Sequence, residues 1–269
     1  MQQSEATGAL FAATRKMDSD HYKTIVITEA LKGKTASPEN LKIALQAASE
    51  MDSDHYITQV LTTLLSQNNL NDATLGEVIN TTHALESDHY ITIVLTTALD
   101  KTGLSNASHQ KLIESVKRIS SDHYITQVIS HLMKQELSGP ALSDLMDVFS
   151  AIESDHYRAE VLTKIIEHQK LTDEQFSRIL AASRDMNSDH YKTIVLKDAL
   201  EKSVSESVLI NLLNAVKSID SDHYKTDVLV TAAPKVKNGS PDLKNAYRQS
   251  AKDISSETYY GRALRAIAE

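Results

Sequence analysis

Apolar residues recur along this chain in short clusters spaced i, i+1, i+4, i+5, separated by polar stretches. One series holds Val60, Leu61, Leu64 and Leu65, then Val94, Leu95, Ala98 and Leu99 one step later. That spacing lines one side of an α-helix and fits no strand, whose faces alternate at every residue. A second series lies between these clusters: Leu41, Ala44, Leu45, Ala48 and Met51, then Leu75, Val78, Ile79 and Leu85. Leu112, Ile113, Val116 and Ile119, and Leu145, Met146, Phe149 and Ile152, continue it. Each is again a helical stripe facing a core. The two series alternate, so the pattern predicts pairs of amphipathic helices, here termed B and A in chain order.

Every A helix opens on the same four residues. Ser19-Asp20-His21-Tyr22 returns at Ser53, Ser87, Ser121, Ser154, Ser188 and Ser221, and an altered copy, Ser256-Glu257-Thr258-Tyr259, closes the series. The serines are spaced by 34, 34, 34, 33, 34, 33 and 35 residues. A nearly constant period in this range marks a stack of supersecondary units, each burying its apolar face against its neighbours. The B helices carry start signals of their own. Ser37-Pro38-Glu39 and Ser240-Pro241-Asp242 put proline at the first helical position, where the missing N–H costs nothing, and Thr172-Asp173-Glu174 and Ser205-Glu206 provide caps without it. Residues 4–17, with Leu10 and Phe11 expected to be buried, read as a lone B helix, and residues 259–268 as a lone A helix.

The expectation is an all-α chain: a right-handed α-solenoid of eight hairpins, about sixteen helices, forming one repeat domain over 1–269. The hairpins fall at about 4–34, 37–68, 71–102, 105–135, 139–169, 172–203, 205–236 and 240–269. Short polar A-to-B loops at 32–36, 67–71, 136–139 and 235–239 absorb the length slips. The tetratricopeptide positions for Trp, Leu-Gly, Ala and Phe are missing despite the matching length. The repeat instead resembles the Ser-Asp-x-Tyr-x-x-x-Val-Leu helical repeats of bacterial proteins, with His21 and its equivalents before the tyrosine. That resemblance implies a HEAT-like α-solenoid in an extracytoplasmic setting, and brings no catalytic residues with it.

At ~100° per residue, the motif residues divide between faces. The serine is expected to cap the helix through its hydroxyl, and the aspartate to sit on the positive end of the helix dipole. His21, His55, His89, His123, His156, His190 and His223 point to water, beside Thr28, Thr62, Thr96, Ser130 and Thr163. This histidine–threonine stripe is the candidate binding surface. Aspartate and tyrosine lie on opposite flanks, which predicts a ladder between successive A helices. Asp20 would face Tyr56, Asp54 Tyr90, Asp88 Tyr124, Asp122 Tyr157, Asp155 Tyr191, Asp189 Tyr224 and Asp222 Tyr259, leaving Tyr22 without a partner. Position 5 of the motif, Ile57, Ile91 and Ile125 but Lys23, Arg158, Lys192 and Lys225 elsewhere, is expected to cover the core, the longer side chains lifting their charge out.

Three other readings of the motif are weaker. Asp18, Asp20 and His21, or Glu86, Asp88 and His89, have the donor types of a metal site. Equivalent residues on neighbouring helices, however, stand ~8–10 Å apart, too far to share an ion with bonds of ~2 Å. Catalysis by Asp-His pairs is disfavoured because adjacent residues on a helix diverge, and because seven copies are unlike a single active site. His83, His109, His131 and His168 fall outside the motif and read as surface residues.

Composition narrows the partners. A net charge of −8 argues against a sequence-independent nucleic-acid binder, and no apolar run reaches the length of a membrane span. With no cysteine there is no disulfide, thiolate nucleophile or zinc–thiolate site, and the compartment is left open. No secretory signal is recognised at Met1-Gln2-Gln3. The sequence therefore points to a non-enzymatic scaffold without a cofactor, presenting an extended surface to a protein or peptide; the alternative is a metal-binding or pH-responsive array of the repeated Asp-His pairs.

Overall fold

A computed structural model describes residues 2–32, 37–67, 70–101 and 104–268 of the chain. The A-to-B loops expected at 32–36 and 67–71 lie partly outside them. Sixteen α-helices occur among the described residues, with no strand. In order they are α1 (Gln2–Thr14), α2 (Asp20–Leu31), α3 (Pro38–Ser49), α4 (Asp54–Leu65), α5 (Asp72–Thr81), α6 (Asp88–Leu99), α7 (Asn106–Val116) and α8 (Asp122–Leu132). There follow α9 (Gly139–Val148), α10 (Asp155–His168), α11 (Asp173–Arg184), α12 (Asp189–Glu201), α13 (Glu206–Val216), α14 (Asp222–Val236), α15 (Pro241–Lys252) and α16 (Glu257–Ala268). Even-numbered helices are the A helices and odd-numbered ones the B helices. The chain divides into two compact units, Met1–Ala151 and Ile152–Glu269.

Each unit is a two-layer stack. In the first, α2, α4, α6 and α8 pack in sequence as one row, and α1, α3, α5, α7 and α9 as the other. In the second, α10, α12, α14 and α16 form the A row and α11, α13 and α15 the B row. A helix therefore meets its second neighbour along the chain as well as its hairpin partner, which is the packing a repeat requires. The core lies between the rows. Val60, Leu61, Leu64 and Leu65 of α4 are wholly buried, as are Val78 and Ile79 of α5. Full burial of each such side chain contributes about 1.5–3 kcal/mol against the entropy of ordering the helix.

The B-helix start signals act as read. Ser37, Asn71, Ser105, Ser138, Thr172, Ser205 and Ser240 each accept from the backbone N–H three residues on, and Thr172 with Gln175 closes a capping box. At the C-terminal ends of the A helices α6 and α10, carbonyls are covered by the following repeat: Gln135 Nε2 donates to Leu99 O at 2.8 Å, and Lys202 Nζ to Glu167 O at 3.1 Å. Position 5 shows both of its expected forms. Ile57, Ile91 and Ile125 are buried, and so are Lys23, Lys192 and Lys225. These lysines do not lift their charge into water. Lys192 Nζ donates to Ser218 O at 2.6 Å and Lys225 Nζ to Asp253 O at 3.3 Å, each just past the end of the next B helix, where the dipole favours a cation. At the last hairpin, Tyr247 is completely buried and donates to Ala263 O at 2.9 Å, and burial pushes its phenol above the ordinary value of 10.0.

Two expectations about burial are corrected. Phe11 is fully buried, but Leu10 is 43% exposed. Its counterparts Ala44 and Val78 are buried against the preceding B helix, and α1 has none before it among the described residues. His109 is not a surface residue: it is 4% exposed, its Nε2 2.7 Å from Gln135 Oε1. It stands twelve residues before its motif serine, the register that Leu41, Leu75, Leu142, Phe176 and Leu209 fill, all buried.

Position 6 of the A helices holds a row of buried threonines. The hydroxyls of Thr58, Thr92, Thr126 and Thr226 lie inside without a hydrogen-bond partner, whereas Thr193 donates to Asp189 O at 2.8 Å. A buried hydroxyl without a partner is a net cost. Thr92→Val keeps the shape and removes that cost, so its melting temperature is expected to equal or exceed that of the parent. Thr193→Val loses a bond and is expected to melt lower than Thr92→Val; the reverse order would contradict the assignment.

Candidate functional site

The repeated motif assembles where each A helix begins. Two non-helical residues, the second an extended serine, lead into the helix, and their N–H groups would be bare without an acceptor from outside. The acceptor is the aspartate one repeat earlier. In the first compact unit, Asp20 accepts from Asp52 N at 2.8 Å and Ser53 N at 3.1 Å. Asp54 accepts from Glu86 N at 3.1 Å and Ser87 N at 2.7 Å, and Asp88 from Ser120 N at 3.0 Å and Ser121 N at 2.9 Å. In the second unit, Asp155 takes Asn187 N and Ser188 N, and Asp189 takes Asp220 N and Ser221 N. Asp222 takes Ser255 N and Ser256 N, so the altered last copy still supplies the receiving serine.

This geometry corrects the expected Asp–Tyr ladder. The step, from one repeat to the next, is as read from the wheel, but the carboxylate meets backbone N–H groups and not the tyrosine hydroxyl. A helix wheel gives direction around the axis and not height along it. The aspartate is the first helical residue, level with the neighbouring cap and below the reach of the neighbouring phenol. The serine is corrected as well. None of the motif serines makes a side-chain cap bond, and their ψ angles fall between 115° and 123°. The B-helix caps, with ψ from 155° to 166°, all make that bond. Held by the preceding carboxylate, the A-helix entrance turns its serine hydroxyl away from the first-turn N–H.

A parallel device on the B row was not anticipated. Asp72 accepts from Ser105 N at 2.8 Å and Ser105 Oγ at 2.6 Å, Asp173 from Ser205 Oγ at 2.6 Å, and Glu206 from the N–H and hydroxyl of Ser240. Its signal was present in the sequence: an acid at the first helical position, followed about one repeat later by a serine cap.

The histidines lie where the wheel put them, exposed in all seven repeats. Their rings, however, are not free-standing. His21 is 5.3 Å from the Tyr22 ring and 5.7 Å from Tyr56; His55 is 5.2 Å from Tyr56 and 6.2 Å from Tyr90; His89 is 5.2 Å from Tyr90 and 5.8 Å from Tyr124. The second unit repeats this from His156 through Tyr191 and Tyr224 to Tyr259. The rings meet tilted or edge-on, an arrangement that aromatic quadrupoles favour. Within each unit a histidine thus bridges its own tyrosine and the next, giving a continuous aromatic row along the A-helix N-termini of that unit, which in the first unit ends at His123 against Tyr124. Tyr22, with no histidine before it, is 59% exposed, while Tyr56, Tyr90 and Tyr124 are half-buried.

Thr28, Thr62 and Thr96 are half-exposed and turn their hydroxyls back onto the carbonyl four residues earlier, at 2.7–2.8 Å. Thr163 bonds Glu160 O at 3.1 Å. These threonines therefore offer a ligand lone pairs and methyls, not protons. Among the described residues no group of three or more His, Asp or Glu side chains is placed to hold a metal ion, and the aspartate that such a site would need is engaged with backbone. Among the described residues no helix is long and apolar enough to cross a membrane. No family model matches the chain, and no curated protein is a significant relative.

Two expectations follow from the carboxylate ties. Asp54→Ala strips the acceptor from Glu86 N and Ser87 N and is expected to cost about 1–3 kcal/mol, and Ser105→Ala about 1 kcal/mol through its lost cap. Ser87→Ala, whose hydroxyl caps nothing, should cost less than either in urea melts; equal losses for Ser87→Ala and Asp54→Ala would refute the assignment. The second concerns acid. Burial pushes the Asp20 carboxyl up, but the bonds from Ser53, Lys23 and Asp52 outweigh it and hold it below the ordinary 3.8. Its proton is thus bound less tightly in the folded chain, so its contribution is full at neutral pH and is lost as pH falls below that ordinary value. Melts between pH 6 and 2.5 should show a shallower acid loss for Asp20→Asn than for the parent; identical slopes would contradict it.

Proposed function

We propose that this chain is a non-enzymatic interaction scaffold that presents the exposed face of its A helices to a protein or peptide partner. The observation that carries the reading is the aromatic row. Seven exposed histidines repeat at the period of the helices, six of them seated between two tyrosines and His123 against Tyr124, with carboxylate ties behind them. Tyrosine at a surface is a low-entropy, amphipathic contact residue, enriched where proteins bind one another. A rigid backing means that little ordering remains to be done on binding. The sameness of the copies supports recognition of an extended partner rather than chemistry at one point.

The test is selection of peptides from a random displayed library against the full chain. Enriched peptides are expected, and their binding should fall at least tenfold with His89→Ala or Tyr90→Ala while surviving Lys42→Ala on α3. No enrichment, or enriched peptides indifferent to the A-face substitutions, would overturn the reading.

A further inference from the structure

The surface beside the aromatic row is not uniform along the chain. In α4, α6 and α8, three successive A helices of the first compact unit, the only charged residue of each helix is its first aspartate. Charged residues make up 24% of the chain, and the A helices α10, α12 and α14 carry several each. The lone carboxylates of α4 and α6 are spent on the next repeat's N–H groups. What α4 and α6 show to water is His55, Gln59, Thr62 and Thr63, then His89, Ile93, Thr96 and Thr97, every one exposed or half-exposed and none of them Asp, Glu, Lys or Arg. Loss of charge together with enrichment in tyrosine is the compositional mark of an interface centre.

From this face we infer the chemistry of the partner: an uncharged, proline-rich segment in the polyproline II conformation, lying across α4, α6 and α8. The inference rests on the scaffold reading above and names its ligand. Three features select it. Neighbouring A helices pack side by side, ~8–10 Å apart, and each adds one Tyr–His pair. A polyproline II helix makes a turn in three residues of ~3.1 Å each, about 9.3 Å, so one residue in three meets each pair in register. A β-strand advances ~6.6 Å for each same-face residue and would fall out of step. Second, aromatic-lined grooves are the surfaces on which proline-rich segments dock, because the preformed helix loses little entropy. Third, α4, α6 and α8 carry no Asp, Glu, Lys or Arg beyond the first aspartate, so an apolar pyrrolidine ring lying on them has few charges to desolvate. The Tyr56 and Tyr90 hydroxyls, and the second N–H of the Gln59 amide whose nitrogen lies 3.1 Å from His55 Nε2, can donate to the carbonyls that polyproline II leaves free. Individually weak pairs at matching spacing bind together at high effective concentration.

The experiment is an NMR titration of the full chain with an end-blocked nonaproline, three turns for three pairs, against a Gly-Ser nonapeptide of equal length. Amides of α4, α6 and α8 near the motif should shift with nonaproline, with affinity at least tenfold above that for the Gly-Ser peptide. Tyr90→Leu, which keeps an apolar body, and Thr97→Lys, which puts charge on the face without touching the aromatic row, should each weaken binding at least tenfold, with parental circular dichroism and melting. Affinity no better than for the Gly-Ser peptide, or binding unmoved by both substitutions, would overturn the inference. If a library-selected peptide without proline, or a neutral oligosaccharide, shifts these amides while nonaproline does not, the ligand class is wrong. The peptide result would leave the scaffold reading standing; the oligosaccharide alone would count against both.

Discussion

One carboxylate accepting two backbone N–H groups determines how the repeats of this chain meet. Apolar stripes alone would let neighbouring helices slide, since side-chain ridges tolerate small shifts with modest loss. The Asp54 carboxylate cannot slide without giving up its two charge-assisted bonds from Glu86 N and Ser87 N. The same bond positions the entrance of the next A helix and therefore the next aspartate. Register is passed from repeat to repeat by an interaction that depends on backbone and tolerates any side chain before the serine, which is why Asp52, Glu86, Ser120 and Asn187 all occupy that place.

The aromatic row follows from this. Histidine and tyrosine come directly after the aspartate, so fixing the aspartate fixes them. Within each unit, an imidazole such as His55 lands between two phenols because successive entrances are held at one height. The B row uses the same chemistry with a different donor, the cap serine giving both its N–H and its hydroxyl to Asp72. Two rows of carboxylate ties, one per layer, brace a stack whose helices are short, and the stability that hydrogen bonds give through the depressed Asp20 carboxyl is lost as pH falls below the ordinary carboxylate range.

Much of this was legible in the residues. The 34-residue period and the two apolar series identify the hairpins, and the apolar positions read from Val60 to Leu65 and from Leu41 to Met51 are buried. The wheel put the histidines in water and the aspartates toward the next repeat. It misplaced the partner because it carries no height along the axis, and it credited the motif serine with a cap that depends on ψ, an angle that tertiary contact sets. His109 was misread through its chemistry when its register already marked it as core: Leu41, Leu75 and Leu142 hold the same place. Asp173 and Glu206, which begin B helices, were read only as part of local cap signals, since a tie to the following repeat cannot be told from a local cap within one repeat.

The central claim, that a side-chain carboxylate of one repeat holds the entrance of the next, is tested most directly by the amide proton of Ser87. If Asp54 accepts its N–H, that proton should resonate downfield, exchange slowly at neutral pH, and move upfield when Asp54 is protonated in acid, while the Ser87 proton of Asp54→Asn stays still over the same range. A Ser87 amide proton that exchanges freely, or whose shift ignores the titration of Asp54, would contradict the account.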